Sequence, residues 1–395
     1  MRLAWCIGLA LAAASAAPAQ EPPEEPVFRS FTWTDVAYPK IFYTLRDGFT
    51  VGGYYAYLSP LGYADWDSPP AYRASFSLNG QASTSGSREI AFDARLPDLL
   101  RGWRLVGTLS AQRRAREHYY GIGNLPTIDE TNVTDAQPHY YQSLNVRYVA
   151  RGEIQRRLVG PLRILAGFHA EHWRIDTLPG PGQLRADLGA AADPTIASPT
   201  NDISARAGLV IDLRDSEPAP RRGALIEAIY SVADTSVMGD VSYTRTTVSA
   251  AGYVSPHPQI VVAARVVGES MEGTPRLGSF YRIEASDRPY EGVGGPASHR
   301  ALQEHRLLGR NKLLANFDVR FDAYAVPTLV RATAVAFLDA GRVFEPEPFK
   351  LTTEGLQVGG GAGLFLQFGR AGILGTTVGA GPDGLVLQAH TRWTY

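Results

Sequence analysis

Cysteine is almost absent from the 395-residue sequence, whose one thiol, Cys6, lies near the N terminus. The first 19 residues contain the early cation Arg2, an apolar run over 3–13 and the small-x-small site Ala17-Pro18-Ala19. These are the features of a cleaved secretory signal, so we predict a signal peptide over residues 1–19. Its removal would leave a chain without thiols, which excludes disulfide scaffolds, thiol catalysis and cysteine-based metal sites.

Long apolar runs are missing as well. After the predicted signal no 18 consecutive residues are apolar, although hydrophobic residues make up 45% of the chain, and this excludes a helical membrane protein. Neither charge dominates, because 38 basic and 39 acidic residues give a formal net charge of −1. The only lysines are Lys40, Lys312 and Lys350, and the many arginines are spread along the chain. We expect arginines paired with carboxylates inside the fold and no nucleic-acid partner.

Alternating segments are what the sequence has in abundance, together with 40 glycines and 19 tyrosines. In the clearest segment, 312–322, five apolar residues share one parity while Asn316, Asp318, Arg320 and Asp322 share the other. Alternation of apolar-out and polar-in residues over about ten positions is the pattern of a transmembrane β-strand. We predict sixteen such strands, over 41–46, 49–58, 72–81, 89–96, 103–112, 141–154, 161–175, 203–213, 224–232, 242–254, 259–269, 312–322, 331–344, 357–368, 372–380 and 385–395.

This pattern predicts an all-β protein, a transmembrane antiparallel β-barrel of about 16 strands in the bacterial outer membrane. We predict three parts: the signal peptide over 1–19, a Pro- and Glu-rich periplasmic N-terminal segment over 20–40, and the barrel over 41–395. In the last segment Trp393 and Tyr395 share the parity of Leu385 and Leu387. We interpret this segment as a C-terminal strand signal, a strand that closes the barrel on the first one.

Four short motifs, taken together, indicate a resemblance to a known family. Residues 212–215 and 220–223 read D-L-R-D and P-R-R-G, residues 120–124 read Y-G-I-G-N, residues 337–341 read F-L-D-A-G, and the chain ends on an aromatic residue. In this order and spacing, over about residues 41–395, they resemble the BamA and TamA superfamily of outer-membrane assembly factors, also called the bacterial surface antigen family. The resemblance singles out a mid-barrel motif consisting of Asp212, Arg214, Asp215 and Gly223.

The same resemblance implies a long loop folded into the lumen. The family's large sixth loop carries a V-R-G-F/Y tip, and the matching residues here are H-R-A-L over 299–302, of which the arginine agrees. By resemblance, Arg300 would enter the lumen and pair with Asp339, helped by Asp318. The residues themselves support this, because a buried guanidinium needs a bidentate carboxylate and Asp339 has polar parity in its strand. The alternative is an exposed loop arginine.

Other motifs favour structural roles. In H-A-E-H over 169–172, a strand would place His169 and Glu171 on one face and His172 on the other, so we expect no metal site there. The run G-G-G-A-G over 359–363 lies inside an alternating strand with no helix after it, which favours a crowded barrel wall over a phosphate loop. The mid-barrel motif has no nucleophile or histidine beside it and favours an ion-pair network. Without a G-x-S-x-G or a triad, we expect no enzyme and no cofactor.

Function is less constrained. Family members that assemble or secrete proteins usually carry periplasmic POTRA modules, and the short segment before the first predicted strand leads us to expect none here. The resemblance implies help with protein insertion or translocation, or with lipid movement, through a weak seam between the short segment 41–46 and the segment 385–395. The alternatives are a transport pore partly plugged by its long loop and a structural surface antigen without transport activity. Candidate partners are outer-membrane lipids, unfolded outer-membrane or secreted protein clients, and a separate periplasmic protein.

Overall fold

The computed structural model describes residues 33–44, 46–61, 68–124, 128–190, 195–326, 329–345 and 347–395. The predicted signal peptide and most of the predicted periplasmic segment lie outside these ranges. Among the described residues, no helix is both long enough and apolar enough to cross a membrane.

Sixteen strands form one antiparallel sheet in the described part of the chain, each paired with the next along the sequence. The order runs from β1 to β11 and continues from β14 to β18, while β12 and β13 pair separately. The strands are β1 Thr34–Thr44, β2 Gly48–Pro60, β3 Tyr72–Ser83, β4 Arg88–Leu100, β5 Trp103–His118, β6 Gln142–Val159, β7 Leu162–Thr177, β8 Thr200–Asp212, β9 Gly223–Asp234, β10 Met238–His257, β11 Ile260–Thr274, β12 Arg282–Ile283, β13 Tyr290–Glu291, β14 Asn311–Val326, β15 Val330–Phe344, β16 Gln357–Phe368, β17 Gly372–Gly381 and β18 Gly384–His390.

One face of the sheet is apolar and exposed, and the other is polar and buried. In β14, Phe317 and Phe321 are exposed, whereas Asp318 and Arg320 between them are buried. In β18, Leu385 is 77% exposed while the neighbouring Val386 is 2% exposed. Side chains of a strand alternate between its two faces, so the exposed apolar face is the one that meets lipid in a transmembrane barrel.

The polar face surrounds residues 275–310, which we call the luminal loop. This loop contains helix α2 (Leu277–Phe280), β12 and β13, whereas the longer helix α1 (Gln183–Ala190) lies between β7 and β8. Arg206 of β8 donates to the Ala285 carbonyl of the loop at 2.9 Å, and Arg306 of the loop donates to Asp383 of the β17–β18 turn at 2.8 Å. Since one loop contacts strands from both halves of the sheet, the sheet curls around it. The prediction of an all-β antiparallel barrel with a loop inside is confirmed.

The connections differ between the two ends of the barrel. At the end where β1 begins and β18 ends, several turns are as short as 101–102 and 160–161. At the other end lie the longer connections 119–141, 178–199, 275–310 and 345–356. Outer-membrane barrels have short periplasmic turns and longer extracellular loops, so the luminal loop enters from the extracellular end.

The first strand starts earlier than its alternation indicates. We predicted a start at residue 41, but β1 begins at Thr34, and Pro39 and Lys40 inside it pair with Gly53 and Gly52. A proline in a strand is typical of a sheet edge, where one side of the strand needs no ladder partner. The proline and the polar residues around it therefore look like a linker in the sequence although they form the first half of an edge strand.

The last strand ends earlier than predicted, at His390 instead of residue 395. The prediction that Trp393 and Tyr395 lie in this strand, on the parity of Leu385, is wrong. Trp393 is buried against the inward-facing Phe365, with 4.1 Å between the ring centroids, and the hydroxyl of Tyr395 donates to the carbonyl of Ala263. The final residues leave the sheet because their aromatic rings find partners inside the lumen.

The seam between β1 and β18 also differs from the prediction. We expected a short first strand, but β1 has 11 residues and β18 has 7. The two strands stand at opposite ends of the sheet order, and no ladder joins them among the described residues. Because the chain after His390 turns inward, β18 is the strand that limits how far the seam can pair.

Candidate functional site

Arg300, at the tip of the luminal loop, is fully buried between two carboxylates of the barrel wall. Its Nε and one terminal nitrogen donate to the two oxygens of Asp339 at 2.9 and 2.7 Å, and the same nitrogen donates to Asp318 at 2.6 Å. The Arg300 backbone N–H also donates to Asp339 at 2.8 Å. The structure therefore brings together Arg300, Asp339 and Asp318, the three residues that the sequence singles out for this place.

Neighbouring side chains complete the cluster. Asn316 donates to Asp339 at 2.7 Å and to the Ser298 carbonyl of the loop, so it bridges wall and loop. The Arg300 guanidinium lies 4.0 Å from the centroid of the Phe337 ring. We call Arg300, Asp318, Asp339 and Asn316 the Arg300 cluster. A bidentate guanidinium–carboxylate pair supported by further hydrogen bonds is the arrangement in which a buried ion pair persists.

The electrostatics of the cluster follow from its burial. Burial alone would lower the pKa of Arg300, but the charges and hydrogen bonds of Asp318 and Asp339 raise it above its ordinary value. The arginine is therefore charged at any physiological pH. Neutralising either carboxylate would leave a buried charge without full compensation.

A glycine-lined wall makes room for the loop tip. Ala301 is fully buried, and a Cβ on Gly379 would lie 2.7 Å from the Ala301 Cα. A Cβ on Gly381 would lie 2.6 Å from the Ala301 carbonyl oxygen, and one on Gly359 would collide with the Ala301 Cβ. The glycine run at 359–363 lies in β16 as predicted, and its first member leaves room for the Ala301 side chain.

The loop base is held by the segment that follows β5. The Gly123 N–H donates to the Leu308 carbonyl at 2.7 Å, and the Asn124 side chain donates to the Gly355 carbonyl at 2.8 Å. The Arg306 guanidinium lies 5.4 Å from the centroid of the Tyr120 ring. The Y-G-I-G-N motif thus anchors the luminal loop where it rejoins the wall.

The mid-barrel motif lies in the connection between β8 and β9, at the end of the barrel where β1 begins. Arg214 donates through Nε and a terminal nitrogen to both oxygens of Asp212, each at 2.9 Å. Asp215 accepts from the backbone N–H groups of Arg221 and Arg222 at 2.9 and 3.2 Å. These contacts brace the 213–222 turn as an ion-pair network, to which Arg104 adds an ion pair with Glu217.

Gly223 closes this turn. Its φ is +100°, and a Cβ there would collide with the carbonyl oxygen of Leu213. Only glycine fits this combination of a left-handed backbone and close approach. The turn therefore depends on the last residue of the motif as much as on its charges.

The comparisons with known proteins decide the family. A model of the Omp85 superfamily domain matches residues 74–374, which is more than half of the chain. The chain belongs to the Omp85 superfamily.

Solved structures share the Omp85 barrel. BamA from Haemophilus ducreyi lacking POTRA domains 1–3 superposes with a TM-score of 0.53 at 13% identity, over 91% of this chain and 70% of that one. CdiB from Escherichia coli superposes with a TM-score of 0.58 at 14% identity, over 93% of this chain and 62% of that one. The chain thus spans about two thirds of these two structures, and the likeness shows the fold. No curated protein matches the sequence.

Sequence reasoning missed a second buried cluster in this Omp85 barrel. Glu284 of the luminal loop lies 3.2 Å from Arg151 of β6 and 3.1 Å from Arg206 of β8. Arg282 donates to Glu171 at 3.0 Å. The inward parity of these arginines was visible in the sequence, but the loop residues that pair with them follow no local pattern.

The H-A-E-H segment divides as predicted. His169 and Glu171 are buried on the inward face, where their side chains lie 3.2 Å apart. His172 is on the exposed face and contacts Asn201. The three side chains therefore do not converge.

Proposed function

We propose that this Omp85 barrel is a non-enzymatic outer-membrane factor that helps insert or translocate polypeptides, or moves lipid, through its seam. Membership of the superfamily and the barrel fold support a role at the outer membrane. The proposal assigns the work to the edges of β1 and β18 and assigns a restraining role to the Arg300 cluster.

The exposure of β1 carries the proposal. Its side chains from Thr34 to Thr44 are exposed at nearly every position, on both faces of the strand, and its ladder partner is β2. A strand edge without a partner presents N–H and C=O groups that pair with another extended chain. The inward turn after His390 leaves few residues of β18 to cover that edge.

The mechanism follows from these edges. An incoming β-strand would add to β1 in the manner of strand augmentation, with main-chain hydrogen bonds supplying affinity. Lipid-facing residues of the incoming strand would leave the lumen through the seam without exposing their backbone to hydrocarbon, where unsatisfied polar groups are costly. The Arg300 cluster would keep the tip of the luminal loop fixed to β14 and β15 while the seam opens.

A disulfide across the seam tests the proposal. β1 runs toward the extracellular end and β18 runs away from it. Ile41 lies three residues before the end of β1 and Leu387 three residues after the start of β18, and both are exposed on the lipid face. We expect Ile41→Cys with Leu387→Cys, once oxidised, to abolish any acceleration of the folding of a small unfolded client barrel in liposomes. Reduction should restore it.

The matched control shares one cysteine with the test. Ile41 pairs with Val51 of β2, and both are exposed, so Ile41→Cys with Val51→Cys locks two strands that are already paired. This variant should stay active when oxidised. Full activity of the oxidised seam variant, or no acceleration by the folded unmodified protein, would contradict the proposal.

A plugged transport pore is the second candidate, favoured by the charged lumen and the ion pairs that hold the loop in it. Arg300→Ala should then raise conductance in planar bilayers several-fold, because the loop tip loses its contacts with Asp339 and Asp318. A conducting variant together with an inactive client assay would favour the pore. If Arg300→Ala does not conduct and the client assay is active, the result favours client insertion through the seam.

A further inference from the structure

The structure assigns a divalent metal site to Glu117, Glu304 and His305, at the extracellular end of the lumen. One donor atom from each side chain lies within 4.8 Å of the other two. The three residues come from two segments far apart in sequence, the end of β5 and the luminal loop. The ion that fits them is a first-row transition metal such as Zn²⁺.

The donor geometry carries the inference. His305 Nε2 lies 3.6 Å from Glu117 Oε1 and 4.0 Å from Glu304 Oε1. Bonds of about 2.0–2.1 Å in a tetrahedral Zn²⁺ site place neighbouring donors about 3.3 Å apart. Side-chain shifts of under about 1 Å would therefore close the site around an ion.

An unsatisfied buried oxygen points independently to a ligand. Glu117 is 4% exposed, and its Oε1 has no hydrogen-bond partner among the described residues. That oxygen faces His305 Nε2, and the nearest guanidinium nitrogen, from Arg46, is 3.8 Å away. A buried carboxylate oxygen left without a hydrogen bond is costly, and a metal ion would satisfy it.

Arg46 acts as an outer partner of the site and not as a substitute for the ion. Its guanidinium donates to Glu304 Oε2, which leaves Oε1 directed toward His305. Carboxylate ligands of metal sites are typically oriented by such a hydrogen bond to their second oxygen.

The ligand set and its access indicate the class of ion. One imidazole with two carboxylates suits Zn²⁺ and its transition-metal neighbours better than Ca²⁺ or Mg²⁺, which take oxygen ligands. The Glu304 side chain is 20% exposed, so an ion can reach the site from that side. Bound there, it would tie the luminal loop to β5 and, through Arg46, to the β1–β2 turn.

Zn²⁺ binding to the full-length chain in detergent, stripped of metal and measured by competition with a chromophoric chelator, tests the site. We expect one ion per chain. Glu117→Gln keeps the shape of the side chain, and His305→Asn suits the positive φ of 56° at that position. Each should weaken Zn²⁺ binding at least about tenfold.

Two controls match these variants in chemistry. Glu130→Gln changes an exposed glutamate of the extracellular end, and His172→Asn changes a half-buried histidine on the outward face of β7. Both should bind Zn²⁺ like the unmodified protein, and all four variants should keep its β-sheet circular dichroism. Failure of the unmodified protein to bind one ion, equal affinity in His305→Asn, or loss of binding in His172→Asn would each overturn the assignment.

Discussion

At the scale of single residues, Asp339 is the wall carboxylate that holds the tip of the luminal loop. It accepts four hydrogen bonds, three from Arg300 and one from Asn316, inside a fully buried cluster. Its negative charge compensates the fully buried guanidinium of Arg300. Changes at this position therefore act on the loop and on the wall at once.

Asp339→Asn should lower the free energy of unfolding by about 3–5 kcal/mol, because it keeps the shape but leaves the Arg300 charge with one carboxylate. Urea unfolding in detergent, followed by tryptophan fluorescence, measures the change. Asp176→Asn is the control, since Asp176 pairs with Arg174 in an exposed ion pair. A change in Asp339→Asn no larger than in the control would contradict the assigned energetics.

A second residue-scale prediction concerns the turn over 213–222. Gly223→Ala should destabilise the barrel by about 1–3 kcal/mol or more, because it combines a left-handed backbone with a collision at the Leu213 carbonyl. Gly53→Ala is the matched change, since nothing lies within 4 Å of a Cβ there. Equal urea midpoints for the two variants would show that the turn relaxes freely.

Some of the site could be predicted from sequence and some could not. The inward positions of Asp318 and Asp339 follow from alternation alone, because successive side chains of a strand change face. The contact of Ala301 with Gly379 does not follow, since it depends on the path of a long loop that no local periodicity fixes. Glu304 and His305 escaped notice for the same reason: their partner Glu117 is nearly two hundred residues away.

At the scale of elements, the strands were predictable and their ends were not. Each predicted strand has a counterpart in the sheet, because lipid on one side and a polar lumen on the other impose a two-residue period. The start of β1 was hidden by Pro39 and the end of β18 by Trp393. Edge pairing in one case and a tertiary aromatic contact in the other override the local pattern.

The C-terminal segment gives an element-scale prediction. Trp393→Ala should lower the free energy of unfolding by about 3–5 kcal/mol, since it removes a buried ring that stacks on Phe365 and lies 4.2 Å from the Arg320 guanidinium. Leu387→Ala, at a lipid-facing position 72% exposed, should cost clearly less. The urea midpoints of the two variants measure the difference. A larger loss of stability in Leu387→Ala than in Trp393→Ala would contradict the buried position of Trp393.

At the scale of the whole molecule, the barrel and its loop protect each other. Arg300 and Arg306 are buried inside the lumen, whereas Arg174 and Arg185 at the extracellular end are exposed. Trypsin should therefore leave the bonds after Arg300 and Arg306 intact in the native protein and cleave them after heat denaturation. Mass spectrometry of the fragments measures this.

The same digestion has an internal comparison. In Asp339→Asn the loop tip loses part of its anchor, so cleavage after Arg300 should appear under native conditions, while Asp176→Asn should digest like the unmodified protein. Native cleavage after Arg300 in the unmodified protein would mean that the luminal loop leaves the barrel readily.

The glycine wall around Ala301 has a consequence for the order in which the loop and the strands fold. The loop backbone lies so close to Gly379 and Gly381 that the loop tip could not be inserted after these strands had formed the wall. We therefore expect Arg300 to dock on β14 and β15 before β16, β17 and β18 close against the loop tip. In this order of folding, the last three strands of the sheet assemble around a loop that is already in place.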